Sequence, residues 1–260
     1  MLGLALAGLA NGFAARAITS IGEQGWYGAL FSTFDISAIV WIACFILLRR
    51  LWEAEPVAAR PLDIALAALC IPAFLLPLGQ ASWVALSVAA VRMIASGPNR
   101  PAWRDAGLLL LAICLPMFWA RLLLSVFSGP LLDLDATLVA GLLGVPAAEN
   151  TVPLADGSGV LWIAPACSSV LNIALTLVCA AAFVTGHRLR WSRRLVTWTL
   201  ATCVVVSAIN ILRLCALARF PEHYEALHGP EGGAGFAFLI LVAMVGMMAF
   251  AVKHERAAVA

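Results

Sequence analysis

Cys167 stands in Ala164-Pro165-Ala166-Cys167-Ser168-Ser169, directly ahead of a long apolar run. Proline suits the first turn of a helix, where its missing N–H costs nothing. The spacing therefore predicts Cys167 in the first turn of a helix, with Ser168 and Ser169 able to cap it. Free backbone N–H groups at such a terminus favour a thiolate and can hold an oxyanion. The plain alternative is a small buried residue at a helix start. The other six cysteines, at 44, 70, 114, 179, 203 and 215, lie mostly inside apolar runs and read as small hydrophobes. No C-x-x-C pair and no Cys/His set at zinc spacing occurs, so neither a redox motif nor a metal site is predicted.

A nucleophilic thiolate needs a cation and a proton carrier beside it. Arg213 lies in Ser207-Ala208-Ile209-Asn210-Ile211-Leu212-Arg213-Leu214-Cys215, inside an apolar run. An arginine at mid-span costs at least ~2.5 kcal/mol on insertion scales and is usually paired or functional. Asn210, three residues earlier, shares its helix face. The alternative for Arg213 is snorkelling, although Arg219 is the better placed interfacial anchor. His228 heads His228-Gly229-Pro230-Glu231-Gly232-Gly233-Ala234-Gly235-Phe236, whose glycines permit close backbone approach. Asp35 and Arg121 also fall inside spans. They either pair with each other, or Arg121 takes a substrate carboxylate or lipid phosphate. Arg92 is expected to snorkel. Asp156-Gly157-Ser158-Gly159 fails the G-x-S-x-G pattern of a serine nucleophile elbow.

The elements that must position these residues follow from composition. Of 260 residues, 63% are hydrophobic and 12% charged, against about 25% charged in an ordinary soluble domain. This excludes a soluble globular enzyme, a disordered chain and a disulfide scaffold. A net charge of +2 gives no argument for nucleic acid. The fold class predicted is all-α: a polytopic transmembrane helical bundle forming one integral membrane domain over 1–260. Apolar runs bounded by charge, Pro or Gly place about eight spans at 2–18, 27–48, 62–77, 80–96, 106–127, 166–185, 195–218 and 235–252. The first is short and holds Asn11 and Arg16, and it lacks the basic start of a cleaved secretory signal.

Basic residues set the orientation. Arg49, Arg50, Arg60, Arg100, Arg104, Arg188, Arg190, Arg193, Arg194, Lys253 and Arg256 all fall in loops of one parity. The opposite loops carry Asp133, Asp135, Glu149 and Asp156, then Glu222, Glu225 and Glu231. The positive-inside rule puts the basic loops and both termini in the cytoplasm. Segments 128–165 and 219–234 then lie on the outer side, and of the four histidines only His223 and His228 can reach Cys167. Within the first outer segment, Leu131–Leu143 suits a helix on the membrane surface. Val152-Pro153-Leu154 and Val160-Leu161-Trp162-Ile163, flanking Asp156-Gly157, suit a small hairpin at that surface.

Three ordered blocks resemble the exosortase/archaeosortase family of membrane enzymes. Ala166-Cys167-Ser168-Ser169 is similar to its A-C-S-[GS] block, Asn210-Ile211-Leu212-Arg213 to its N-x-x-R block, and His228-x-x-x-Gly232 to the H-x-x-x-G block before the last span. The likeness covers about 130–250, and the earlier part resembles the family in hydropathy. The Cys block departs from the more frequent C-S-G, which leaves the branch and the substrate open.

The resemblance implies a cysteine transpeptidase or protease of the cell inner membrane, acting on its periplasmic side without a cofactor. Its partners would be exported proteins carrying a C-terminal signal of PEP-CTERM type with a transmembrane helix and basic tail, a system often tied to exopolysaccharide. Cys167 is expected to form a thioester, His228 to move the protons, and Arg213 to stabilise thiolate or oxyanion. The N–H groups of Cys167 and Ser168 are expected to complete an oxyanion hole, with Asn210 orienting Arg213. The alternative is a non-enzymatic transporter or assembly factor for polysaccharide export.

Overall fold

The computed structural model describes residues 1–55, 58–95 and 101–259. Arg100, counted above among the basic loop residues, lies outside the described residues. The chain divides into two compact units: Met1–Trp119 with Ala181–Leu189, and Ala120–Ala180 with Arg190–Ala260.

The first unit is built from α1 (Leu2–Phe31), α2 (Ala38–Glu53), α3 (Pro61–Leu75), α4 (Gly79–Ala95) and α5 (Pro101–Cys114), the last followed by a π-helical turn at Leu115–Trp119. The first helix is much longer than the 2–18 expected, because its polar residues have partners. Asn11 donates to the Leu76 carbonyl at 2.7 Å and to Ser82 Oγ at 2.9 Å. Arg16 donates to the Asp35 carbonyl at 3.3 Å. Gly12 lets α1 approach α4 so closely that a Cβ there would lie 2.8 Å from the Trp83 ring.

The expected span 27–48 is interrupted. Its first residues end α1, and Thr33, Phe34 and Asp35 take left-handed φ of 53°, 57° and 54° before α2 begins. Such conformations cost about 1–2 kcal/mol each for non-glycine residues. Hydrogen bonds from Thr33 Oγ1 to the Ile36 carbonyl and from Trp41 Nε1 to the Thr33 carbonyl hold the corner. The Asp35 carboxylate accepts from Gln24 Nε2 at 3.2 Å on both oxygens. Arg92, expected to snorkel, instead pairs with Asp63 at 2.8 Å. Asp63 also accepts the Arg60 N–H at the start of α3, so one carboxylate both caps a helix and neutralises a cation.

The second unit holds α6 (Ala120–Leu143), a hairpin of β1 (Thr151–Pro153) and β2 (Val160–Trp162), and a 3₁₀ turn at Pro165–Cys167. It continues through α7 (Ser169–Gly186, whose last turns belong to the first unit), α8 (Arg193–Arg219), α9 (Tyr224–His228) and α10 (Pro230–Val259). The stretch read as a separate surface helix is the distal half of α6, beyond a bend at Phe127 (φ −121°, ψ 32°) and Pro130. Leu132, Asp135, Ala136, Val139 and Ala140 recur at helical spacing and form its buried face. Leu132, Ala136, Val139 and Ala140 pack with Val152, Leu161 and Ile163 of the hairpin and with Ile211, Leu214 and Leu217 of α8. The Ala155 N–H donates to the Ala218 carbonyl at 3.0 Å, fixing the hairpin to the end of α8.

The molecule is a helical membrane protein. Among the described residues, five helical runs are long and apolar enough to cross a bilayer: Leu2–Phe31, Pro101–Leu143, Ser169–Gly186, Arg193–Arg219 and Gly232–Ala257. The helices α3 and α4 are apolar but have 15 and 17 residues. At ~1.5 Å per residue the 15 residues of α3 fall short of a ~30 Å hydrocarbon core. Among the described residues, five of the eight expected spans thus have a helix of full length, and 62–77 and 80–96 have shorter apolar helices.

Candidate active site

The carbonyl of Cys167 is the anchor of the site. Asn210, only 3% exposed on α8, donates its Nδ2 to that carbonyl at 2.8 Å and to Ser169 Oγ at 3.2 Å. A buried amide satisfied in this way fixes the turn, because leaving it unpaired would cost about 1–3 kcal/mol. The opposite side of the same turn is held by Asp135, 4% exposed on α6, whose Oδ2 accepts the Ser169 N–H at 3.1 Å. Two helices therefore clamp Cys167-Ser168-Ser169 from different directions.

Cys167 does not stand in the first turn of the helix. It ends the 3₁₀ turn, Ser168 is extended (φ −70°, ψ 143°), and α7 begins at Ser169. Ser168 Oγ accepts the Val170 N–H at 3.3 Å and so caps α7. The expected oxyanion hole is also corrected. The Cys167 N–H donates to the Ala164 carbonyl at 2.8 Å and the Ser168 N–H to the Pro165 carbonyl at 3.3 Å, so both serve the turn itself. The carboxylate of Asp135 already occupies the anion position at the α7 terminus. Any further negative charge must look to a side chain.

Arg213 is that side chain. It lies three residues beyond Asn210, one turn along the same face of α8. Its guanidinium carbon sits 5.8 Å from the Phe236 ring centre on α10, and its Nη2 lies 4.0 Å from where a Cβ on Gly233 would be. Its buried Nε has no hydrogen-bond partner among the described residues. An arginine faced by an aromatic ring and, among the described side chains, by no carboxylate keeps its positive charge available.

His228 closes α9, and its ring stacks on Tyr224 at 5.0 Å and 20°. Tyr224, Leu227 and Cys167 all pack against the apolar cluster of α6, the hairpin and α8. The chain then turns sharply into α10. A Cβ on Gly232 would lie 2.7 Å from the Leu227 carbonyl and collide with that of Ala226, so this position of the H-x-x-x-G block must be glycine. The structure thus joins Cys167 to Asn210 directly and sets Arg213 on the same face of α8. His228 is carried on the segment that leads into the helix facing Arg213. Among the described residues, neither the Cys167 thiol nor the His228 ring has a hydrogen-bond partner.

The remaining histidines are engaged elsewhere: His187 lies against Phe183, His254 against Phe250, and His223 closes the 3₁₀ turn Pro221–His223. Among the described residues, no three His, Cys, Asp or Glu side chains gather as a metal site would require. Asp135 and Tyr224 were not singled out from the sequence. The spacing Leu132, Asp135, Ala136, Val139 placed one acid of the Asp133/Asp135 pair on an apolar stripe, and that was the available signal for Asp135.

A helical membrane protein with a half-buried cysteine, a buried asparagine and an arginine that meets no carboxylate among the described side chains is defined by this geometry. The chain belongs to the transmembrane exosortase family, whose model matches residues 29–247. That match begins well upstream of the three blocks and takes in most of both units. No curated protein matches the chain, and no solved structure does.

Proposed function

We propose that this protein is a cysteine transpeptidase or peptidase that processes C-terminal sorting signals of PEP-CTERM type on exported proteins. Its site would face the periplasmic side of the inner membrane, with both termini cytoplasmic. The observation that carries this reading is the hydrogen bond from Asn210 to the Cys167 carbonyl, because it ties the cysteine block to the N-x-x-R block that family membership makes meaningful.

In this mechanism His228 takes the thiol proton of Cys167 as its sulfur attacks the scissile carbonyl carbon, and a C–S bond forms as the carbonyl becomes a tetrahedral oxyanion. Arg213 bears that negative charge, since the nearby backbone N–H groups are committed to the turn. Collapse breaks the C–N bond, and the amine leaves with a proton from His228. The resulting thioester is attacked by an amine or by water, which gives a proton to His228; the C–S bond breaks, and that proton passes to the departing sulfur to regenerate the thiol.

Cys167→Ala, Arg213→Ala and His228→Ala are each expected to reduce processing of a co-expressed cognate substrate by about two orders of magnitude or more, with insertion unchanged. Full processing by Cys167→Ala would refute the nucleophile. Mass spectrometry of the product separates transfer, which adds a new C-terminal group, from hydrolysis.

A further inference from the structure

The two edges of the hairpin are unlike. The Ile163 N–H donates to the Asn150 carbonyl at 2.9 Å and the Leu154 N–H to the Gly159 carbonyl at 3.0 Å. Antiparallel alternation then makes Val152–Leu161 the bonded pair between them, and turns the backbone groups of the pairs Thr151–Trp162 and Pro153–Val160 outward. On β1 that outer edge is closed. Thr151 exchanges both backbone bonds with Ala148, at 3.0 and 3.2 Å, and Pro153 has no N–H to offer. On β2 it is open: among the described residues, nothing takes the outward N–H or C=O of Val160 or Trp162. Both residues are well exposed, at 58% and 60%.

This open edge leads straight to the nucleophile. Only Ile163, Ala164, Pro165 and Ala166 separate Trp162 from Cys167, a reach of at most about 17 Å. A two-stranded hairpin is marginal alone and gains from a third strand. Unpaired strand groups are the feature that extended peptides add to, with main-chain hydrogen bonds supplying affinity.

We propose that β2 is the docking edge for the polypeptide substrate: an extended segment beside the scissile bond adds as a third strand along Val160–Trp162 and delivers its carbonyl to Cys167. This rests on the reading of Cys167 as nucleophile. Recognition here is of backbone, with Val160 and Trp162 touching alternate substrate side chains.

The test uses the full chain in membranes with a co-expressed cognate substrate. A photoreactive benzoylphenylalanine at Trp162, in the Cys167→Ala background so that substrate is not consumed, is expected to crosslink to the substrate segment flanking the cleavage point. The same group at Leu69, exposed in the first unit, is expected to give no such product. In the otherwise native enzyme, Val160→Pro removes one outward donor without touching the bonded pairs. It is expected to lower kcat/KM about two- to tenfold, chiefly through KM, and by clearly more than Val160→Thr, which keeps the donor and alters only the side-chain contact. A Trp162 crosslink only to a second copy of this chain, no crosslink, or equal losses in Val160→Pro and Val160→Thr would each overturn the docking edge. Processing by Cys167→Ala would instead refute the nucleophile, and the crosslink would still report on the edge.

Discussion

The two units treat charge differently. In the first, Arg92 is paired with Asp63, and Glu53 gathers Arg49 at 2.8 Å and Arg188 at 2.9 Å. These cations are neutralised where they stand, and they hold helices. In the second, the buried carboxylate of Asp135 is spent on a backbone N–H, while Arg213 meets an aromatic ring and, among the described side chains, no acid. A charge inside an apolar protein without a counter-charge is costly to keep. The comparison teaches that an arginine within a span is not by itself a functional signal: Arg92 and Arg213 both interrupt apolar runs, and their partners separate them.

The comparison breaks most visibly at the two arginines. Arg213→Lys, which retains charge but loses the planar fork, is expected to leave processing at least about tenfold below native, measured as product per enzyme in membranes. Native-level processing would mean that a point charge suffices. Next comes the clamp on Cys167. Asn210→Ala strands the Cys167 carbonyl and is expected to slow processing about ten- to hundredfold. The variant should also change the alkylation rate of Cys167, read by peptide mass spectrometry, which a remote packing defect would not do. Arg92→Ala should act on stability instead, by about 1–3 kcal/mol given a partly exposed pair. The thermal midpoint should fall, while specific activity of the folded fraction stays within about twofold of native.

The smallest effect is a pH dependence in the hairpin turn. The Ser158 N–H and hydroxyl, at 2.9 and 2.7 Å from Asp156 Oδ1, hold the Asp156 carboxyl below its usual range. A depressed carboxyl stabilises the fold above its unfolded pKa, about 3.9, and that contribution is lost as pH falls through the lower folded value. The amide protection factor at Ser158 should therefore be steady above pH 5 and fall below pH 4. Asp156→Asn should abolish most of this change.

Much of the site was legible because its residues are costly ones. A cysteine after Pro165, an arginine in an apolar run and a histidine among glycines each stand out against a 63% hydrophobic background. What the sequence hid depends on tertiary partners. The committed N–H groups of Cys167 and Ser168 follow from a 3₁₀ turn that periodicity cannot distinguish from the start of α7. Asp135 read as one more acid of an outer loop, and only its contact with Ser169 reveals its place. Helix ends failed for the same reason: Asn11 argued for a short first span until Leu76 and Ser82 satisfied it.

The central claim is an acyl group carried on Cys167 beside Arg213, and hydroxylamine tests it most directly. Added to enzyme and cognate substrate, it intercepts a thioester and leaves a hydroxamate on the new C-terminus, which mass spectrometry reads. The account predicts hydroxamate from the native protein and neither hydroxamate nor cleavage from Cys167→Ala. A product that ends only in a free carboxylate under saturating hydroxylamine, or the same cleavage by Cys167→Ala, would contradict it.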